Sequence, residues 1–290
     1  GKNIRENLST TLISNAVSDA KNVNFSTVGI VPFMDNVVMG EQLESELHKI
    51  KEARKAKLMS FSGSKLDKVK QLKAVLERGY VETVVCGGLV AMALIKARAE
   101  LEGTDCCIGK VETAEQEHVD RERFVDAKTV EQAKGAVLAA KKHAIKLVLP
   151  VDFRLDDESY TEGTVIPNDR YAFDIGPKSV DLNAKAVQEF MSKYSQLPPY
   201  EKPTVFHNGV FGVFERKEFA QGTEAWAKEL KRLEEAGFHI VVGGGEGRQI
   251  APKATVLIGG GTSVLGMSDK PLPAVKAIWM HSTGKLERIE

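Results

Sequence analysis

Glycine gathers where four short β-branched runs end: Cys86-Gly87-Gly88, Asn208-Gly209, Gly243-Gly244-Gly245-Glu246-Gly247 and Gly259-Gly260-Gly261-Thr262-Ser263. Lacking a Cβ, glycine adopts positive φ and lets a ligand approach the backbone, while the N–H groups that open a following helix favour anions. Any one such turn is equally explained by a tight strand-to-helix connection. Four on one sheet edge imply a phosphorylated or nucleotide ligand. None has the GxxxxGK[ST] spacing of a Walker loop, and no GxGxxG follows the first candidate strand, so an ordinary dinucleotide fold is not supported.

The elements that must carry these turns are legible as a pattern. Candidate strands are Ser26–Val31, Leu58–Ser62, Thr83–Cys86, Leu147–Val151, Thr204–Phe206, His239–Val242 and Thr255–Ile258. Several are continuously apolar, as parallel strands buried on both faces are. Between them, helical periodicity predicts Glu41–Ala56, Asp67–Glu77, Val90–Leu101, Val130–Lys142, Asn183–Tyr194 and Glu224–Ala236. The alternation predicts an α/β fold, a doubly wound parallel sheet in three αβα layers with right-handed crossovers. Ligands of such sheets bind outside the carboxyl ends of the strands, where these glycines fall. In 41–58, Leu43, Leu47 and Ile50 form one apolar stripe and the other faces are heavily charged.

Composition narrows the class. The chain has 290 residues, 42% hydrophobic and 28% charged, with 40 basic residues balancing 40 acidic ones. That is an ordinary globular balance with no broad basic face for nucleic acid. No run of apolar residues is long enough to span a membrane, and GKNIRENLST has no apolar signal region. Cys86, Cys106 and Cys107 fit neither a disulfide framework nor a CxxC pair, and read as free thiols of a reducing compartment. His207, inside the HNG turn, reads as a packing or rim residue, and His118 in the run EQEHVDRER as solvated. The stretch KEARKAK is a charged helix face or, alternatively, a partner surface.

Several longer runs carry a resemblance. Asn208-Gly209-Val210-Phe211-Gly212-Val213-Phe214-Glu215 followed by Phe219-Ala220-Gln221-Gly222-Thr223 resembles the NGPxGVFE…FAxGT stretch of phosphoglycerate kinases. Leu149–Asp152 is similar to that family's LPVD, Phe173–Ser179 to its LDIGPKT, Val241–Glu246 to its IIGGGDS, Gly259–Ser263 to its TGGGAS, and Ser26–Gly29 to its STVG. The order is the family's and nearly the whole chain takes part.

The resemblance implies a Rossmann-like carboxy-terminal domain over 58–290 that binds ADP or ATP with Mg2+. It implies an interdomain helix at 41–57 and, at 1–40, a remnant of the amino-terminal domain that holds 3-phosphoglycerate. Glu215 is expected to accept from the ribose hydroxyls, Asn208 to lie near the nucleotide, and Gly87, Gly88 and Val213 to line base and sugar. Lys68 matches the last lysine of the family's KVSDK; Lys65 matches the first only with a one-residue gap, Ser64 falling there otherwise. Gly245, Glu246 and Gly247 are expected at the nucleotide, with Glu246 also at the metal, and Gly259, Gly260 and Gly261 join Lys68 around the transferred phosphoryl group.

The departures bear on activity. Lys21-Asn22-Val23-Asn24 stands for the family's HRxH, Ser14–Val17 for its NDAF, Glu246-Gly247 for Asp-Ser, and Val210 for the proline of NGPxG. One added methylene matters where geometry is held to about half an ångström. Three functions follow as expectations. The first is a nucleotide-binding phosphoglycerate-kinase-like protein whose phosphoryl transfer between 1,3-bisphosphoglycerate and ADP is weak or lost. The others are a structural subunit of a larger assembly and an active glycolytic kinase whose amino-terminal domain is absent from this chain. The family default is a cytoplasmic setting, with organelles as the alternative.

Overall fold

A computed structural model describes residues 4, 6, 10–113, 124–244 and 247–286. Its strands are Thr11–Ser14 (β1), Asn36–Met39 (β2), Ala56–Phe61 (β3), Thr83–Cys86 (β4), Lys146–Val148 (β5), Phe153–Leu155 (β6), Ala172–Ile175 (β7), Thr204–Asn208 (β8), His239–Gly243 (β9) and Thr255–Leu257 (β10). The principal helices are Glu41–Ala53 (α1), Asp67–Leu76 (α2), Gly88–Glu102 (α3), Ala127–Lys142 (α4), Pro177–Lys193 (α5), Gln221–Glu235 (α6), Gly261–Met267 (α7) and Pro273–Ser282 (α8).

Six of the strands form one parallel sheet in the order β10-β9-β8-β3-β4-β5. Successive residues of each strand feed opposite layers. Met59, Phe61, Val84, Cys86 and Val241 pack with α2, α3 and α4, whereas Leu58, Val85, Val205, Ile240 and Val242 pack with α5 and α6. The expected αβα sandwich is therefore present. Full burial of each large aliphatic side chain here contributes about 1.5–3 kcal/mol. The chain enters the sheet centrally at β3, winds out to β5, then returns beside β3 as β8 and winds the other way. The reversal lies between β3 and β8, where such sheets leave a crevice.

A second layer closes over one end of this sheet. β1 and β2 form a two-stranded parallel pair, and Val17, Ala20, Met34, Val37 and Leu43 cluster with Ala274, Ala277 and Ile278 of α8. Leu47 of α1 packs against both this cluster and the core beneath the main sheet. Helix α1 has no side chain at its N-cap, Gly40; Asn15 Oδ1 supplies the cap from a distance, accepting from Gln42 N at 3.1 Å and Leu43 N at 3.4 Å.

Some local expectations are corrected. Ser26–Val31 is helical, a π-turn at Phe25–Gly29 followed by a 3-10 turn at Val31–Phe33. Asn24 Oδ1 accepts from Thr27 N at 3.1 Å and Thr27 Oγ1 at 2.6 Å, a cap that outcompetes β propensity. Helix α1 stops at Ala53, three residues early, because Ala56 already belongs to β3. The charged flank of α1 is also not uniformly solvated: Glu46 is 1% exposed.

Candidate functional site

A cleft of about 820 Å³ opens at the carboxyl ends of the main sheet, centred on the β3/β8 reversal. Its walls include Lys65 and Lys68 after β3, Gly88 after β4, Asn208 and Val213 from β8 and the loop after it, Glu215, and Gly260 and Gly261 after β10. These eight sequence-expected residues thus share one hollow. Gly87, Gly247 and Gly259 stand behind the wall, where a Cβ would strike Phe211, Val242 and Ser263 respectively. Gly245 and Glu246 lie outside the described residues.

The geometry at β8 explains its glycine. Gly209 has φ +90°, and a Cβ there would fall 2.2 Å from Ser62 O and 2.6 Å from Lys68 Nζ. Only glycine lets the β3 and β8 turns close this tightly, and the closure holds the Lys68 ammonium between them. Lys68 Nζ donates to Ser62 O at 2.7 Å. Beside it, Asn208 is 3% exposed and its Oδ1 has no hydrogen-bond partner among the described residues. A buried amide oxygen without a donor costs free energy. Backbone cradle, ammonium and polar orphan together fit a nucleotide.

Two buried carboxylates hold the walls. Asp152 of LPVD accepts from Lys178 N at 3.0 Å, Ser179 N at 2.8 Å and Ser179 Oγ at 2.6 Å, so it caps α5. Asp174 of DIGPK accepts from Ile175 N and Gly222 N, both at 2.8 Å, tying β7 to the start of α6. A Cβ on Gly212 would lie 2.5 Å from Asp174 Oδ1, so the loop carrying Val213 and Glu215 is packed directly on this acid. Burial pushes the Asp174 carboxyl up to about 6, against the two N–H groups that favour its charge. Val213 N donates to Phe173 O at 2.8 Å, which sets Glu215 at the cleft mouth.

The turn after β10 is built differently. Glu46 Oε1, from α1, accepts from Ile258 N at 2.9 Å, Gly259 N at 2.9 Å and Ser263 Oγ at 2.7 Å. The protein's own carboxylate thus occupies the anion position behind this turn, leaving Gly260 and Gly261 to face the cleft. Sequence reasoning missed both Asp174 and Glu46 as positioning groups. Spacing held the signal for the second, since residue 46 falls between 43 and 47 on the apolar stripe.

His207 is in the core and fully buried. Trp226 Nε1 donates to its Nδ1 at 3.1 Å, which leaves the ring proton on Nε2, and Ser60 Oγ is 2.5 Å from the same Nδ1. Burial, aided by the Lys68 charge, pushes its pKa down to about 3, so the ring is neutral packing and not a base.

The fold is a doubly wound α/β sheet with a glycine- and lysine-lined cleft at its reversal point. The chain matches the phosphoglycerate kinase family over residues 5–270 and belongs to that family. Similar proteins include the phosphoglycerate kinases of Clostridium beijerinckii (28% identical, 93% of this chain and 65% of that protein) and Clostridium novyi (29%, 93% and 64%). The cytosolic phosphoglycerate kinase of Triticum aestivum is 28% identical over 92% of this chain and 63% of its own. The chain therefore spans about two thirds of the length of these relatives. Among solved structures, phosphoglycerate kinase from Coxiella burnetii superposes with a TM-score of 0.66 at 24% identity, covering 98% of this chain and 68% of that one. The enzyme from Pyrococcus horikoshii OT3 gives 0.67 at 22%, covering 95% and 65%. No helix among the described residues is long and apolar enough to cross a membrane.

Proposed function

We propose that the cleft binds ADP or ATP and that the chain performs the nucleotide side of phosphoryl transfer between 1,3-bisphosphoglycerate and ADP. The observation that carries this reading is the convergence at Gly209: two backbone turns closed onto the Lys68 ammonium, beside an Asn208 oxygen that lacks a donor among the described residues. Glu215 accepts from the ribose hydroxyls at the mouth, and Val213 and Gly88 flank base and sugar. Lys68 faces the phosphates, with Lys65 on the same wall, and offsets charge on the phosphoryl group in flight, where positioning and electrostatics supply most of the catalysis. Mg2+, with Glu246 as its protein ligand, would neutralise the phosphate oxygens.

Transfer by this chain is weak or lost under this reading, because Glu246-Gly247 replaces Asp-Ser and Lys21–Asn24 replaces HRxH. The second reading is a fully active phosphoglycerate kinase, favoured by the retained Lys68, Asn208 and Glu215. A structural subunit of an assembly has no observation of its own in support. The wheat relative's cytosolic designation supports a cytoplasmic setting.

Thermal unfolding with and without MgADP tests the binding. Ligand at about a hundredfold excess over Kd stabilises by about 2.7 kcal/mol, a rise of several degrees. An unchanged melting temperature at millimolar nucleotide overturns the proposal. A coupled assay for ATP formation then separates the two readings: turnover typical of the family, abolished by Lys68→Ala, selects the active enzyme.

A further inference from the structure

Arg216, Lys217 and Glu218 lie between the run that ends at Glu215 and the run that begins at Phe219, and neither resemblance gives them a role. The backbone around them is closely tied. Val213 N donates to Phe173 O at 2.8 Å, Arg216 N to Val213 O at 2.9 Å, and Phe219 N to Arg216 O at 2.8 Å. Glu215 therefore rides on a turn that is closed on itself and stitched to β7. The Arg216 side chain closes it further. Its guanidinium carbon lies 4.5 Å from the Phe219 ring centroid and 5.6 Å from that of Phe173, and the two rings meet edge to face at 5.1 Å. Its Nε donates to Glu218 Oε1 at 2.9 Å, and its Nη2 reaches the same oxygen at 2.7 Å. Glu218 is itself fixed, since Arg154 Nη1 donates to its carbonyl oxygen. Phe219 is fully buried, whereas the Arg216 side chain is about half exposed. Among the described residues the cleft wall includes Phe173, Val213 and Glu215 but not Arg216. Arg216 thus grips from outside a wall that it does not form.

We propose that Arg216 is a positioning residue for nucleotide binding: its guanidinium, seated on Phe219 and Phe173 and paired with Glu218, holds the 213–216 turn so that the Glu215 carboxylate is already in place for the two ribose hydroxyls. The assignment deepens the ribose role proposed for Glu215 and rests on it. A carboxylate at an open mouth contributes to binding only as far as it is ordered before the ligand arrives. A planar guanidinium lies on ring faces and forks onto a carboxylate at once, which the point charge of a lysine ammonium does not. Glu218 has a second effect. By taking two N–H groups of Arg216 it draws that cation away from the adjacent Glu215, whose oxygens are left to the ligand. The nucleotide selected is one that carries both the 2′ and the 3′ hydroxyl.

Calorimetric titration with MgADP and with the magnesium complex of 2′,3′-dideoxy-ADP, which lacks both hydroxyls, tests this. The proteins are the unsubstituted chain, Arg216→Ala, Arg216→Lys, Glu215→Gln and the double variant Arg216→Ala with Glu215→Gln. Arg216→Ala is expected to weaken MgADP about fivefold while leaving the dideoxy analogue unchanged. Arg216→Lys, which keeps the charge and the stem but not the planar fork, should weaken MgADP about threefold. In the double variant, the loss should be no greater than that of Glu215→Gln alone. Should Arg216→Ala fail to fold, the same comparison of the two ligands in Arg216→Lys decides. If MgADP binds the Arg216 variants undiminished, if the analogue weakens by the same factor, or if the two substitutions add in full, the assignment of Arg216 is wrong while the nucleotide reading survives. If the unsubstituted chain binds MgADP and the analogue equally well, the ribose role of Glu215 falls and Arg216 falls with it, nucleotide binding standing. If neither nucleotide binds, all three fall.

Discussion

The turns after β8 and β10 share a glycine signature and a sheet edge but use them differently. After β8, Gly209 lets backbone meet backbone and the turn closes on the Lys68 ammonium, which donates to Ser62 O, while the buried Asn208 Oδ1 has no hydrogen-bond partner among the described residues. After β10, the free N–H groups of Ile258 and Gly259 are taken by Glu46 of α1, so much of that turn docks a helix. Glycine-rich turns at strand ends therefore do not all donate to ligands. What decides is whether the protein brings its own anion.

The comparison can be broken first through pH. His207 adjoins Asn208, and its folded pKa of about 3 lies below the ordinary 6.5. The unfolded chain therefore binds its proton first. Stability present above pH 6.5 is lost as pH falls towards 3, by about 1.4 kcal/mol per unit and about 5 kcal/mol in total. Asp174, raised to about 6, acts oppositely: its burial lowers stability above pH 6, and that penalty fades as pH falls to 3.8. Urea unfolding of His207→Asn, whose amide oxygen can replace the Nδ1 acceptor, is expected to show a much flatter acid limb than the parent chain. An identical limb in both proteins would remove His207 from the account.

Next in size is the β10 turn. Glu46→Ala leaves a buried N–H group, a partly buried one and a hydroxyl without their acceptor and is expected to cost about 3 kcal/mol by chemical denaturation. Glu46→Gln, which keeps an acceptor oxygen, should cost less than half of that. Equal losses would mean that packing, not hydrogen bonding, holds α1 to this turn. At β8, Gly209→Ala places a β-carbon against Ser62 O at positive φ. We expect about 2 kcal/mol of destabilisation, with nucleotide affinity falling more than stability does. Smallest is Glu215→Gln at the exposed mouth. It should weaken ADP about tenfold without moving the melting temperature, and an unaltered Kd would take the ribose role away from it.

The main sheet was legible because several of its parallel strands, buried on both faces, are largely apolar runs; Leu58–Phe61, interrupted only by Ser60, and Val84–Cys86 are such runs. The N-terminal layer was less so. Ser26–Val31 has β-branched residues in sequence, but its conformation is set by the Asn24 cap and by Pro32, which has no N–H for a ladder. β1 and β2 are four residues each and, among the described residues, pair only with one another, too short for periodicity to register. At the site, the glycine turns could be read directly, since their chemistry is local, while Lys68 of α2 was singled out only by the resemblance to the family's KVSDK motif. Asp174 could not, because it acts on Gly222, far away in sequence; Glu46 left only the trace of its place on the apolar stripe, its partner Gly259 being equally distant.

The cluster joining Val17, Met34 and Leu43 to Ala274 and Ile278 has a bearing on biosynthesis. A ribosome delivers the first set long before the second, at about 5–20 residues per second. For ten seconds or more, on the order set by that rate, the leading segment is without its eventual apolar partners. A chaperone that shields exposed hydrophobic sequence would find its substrate there during translation, and would be released once α8 has emerged and packed.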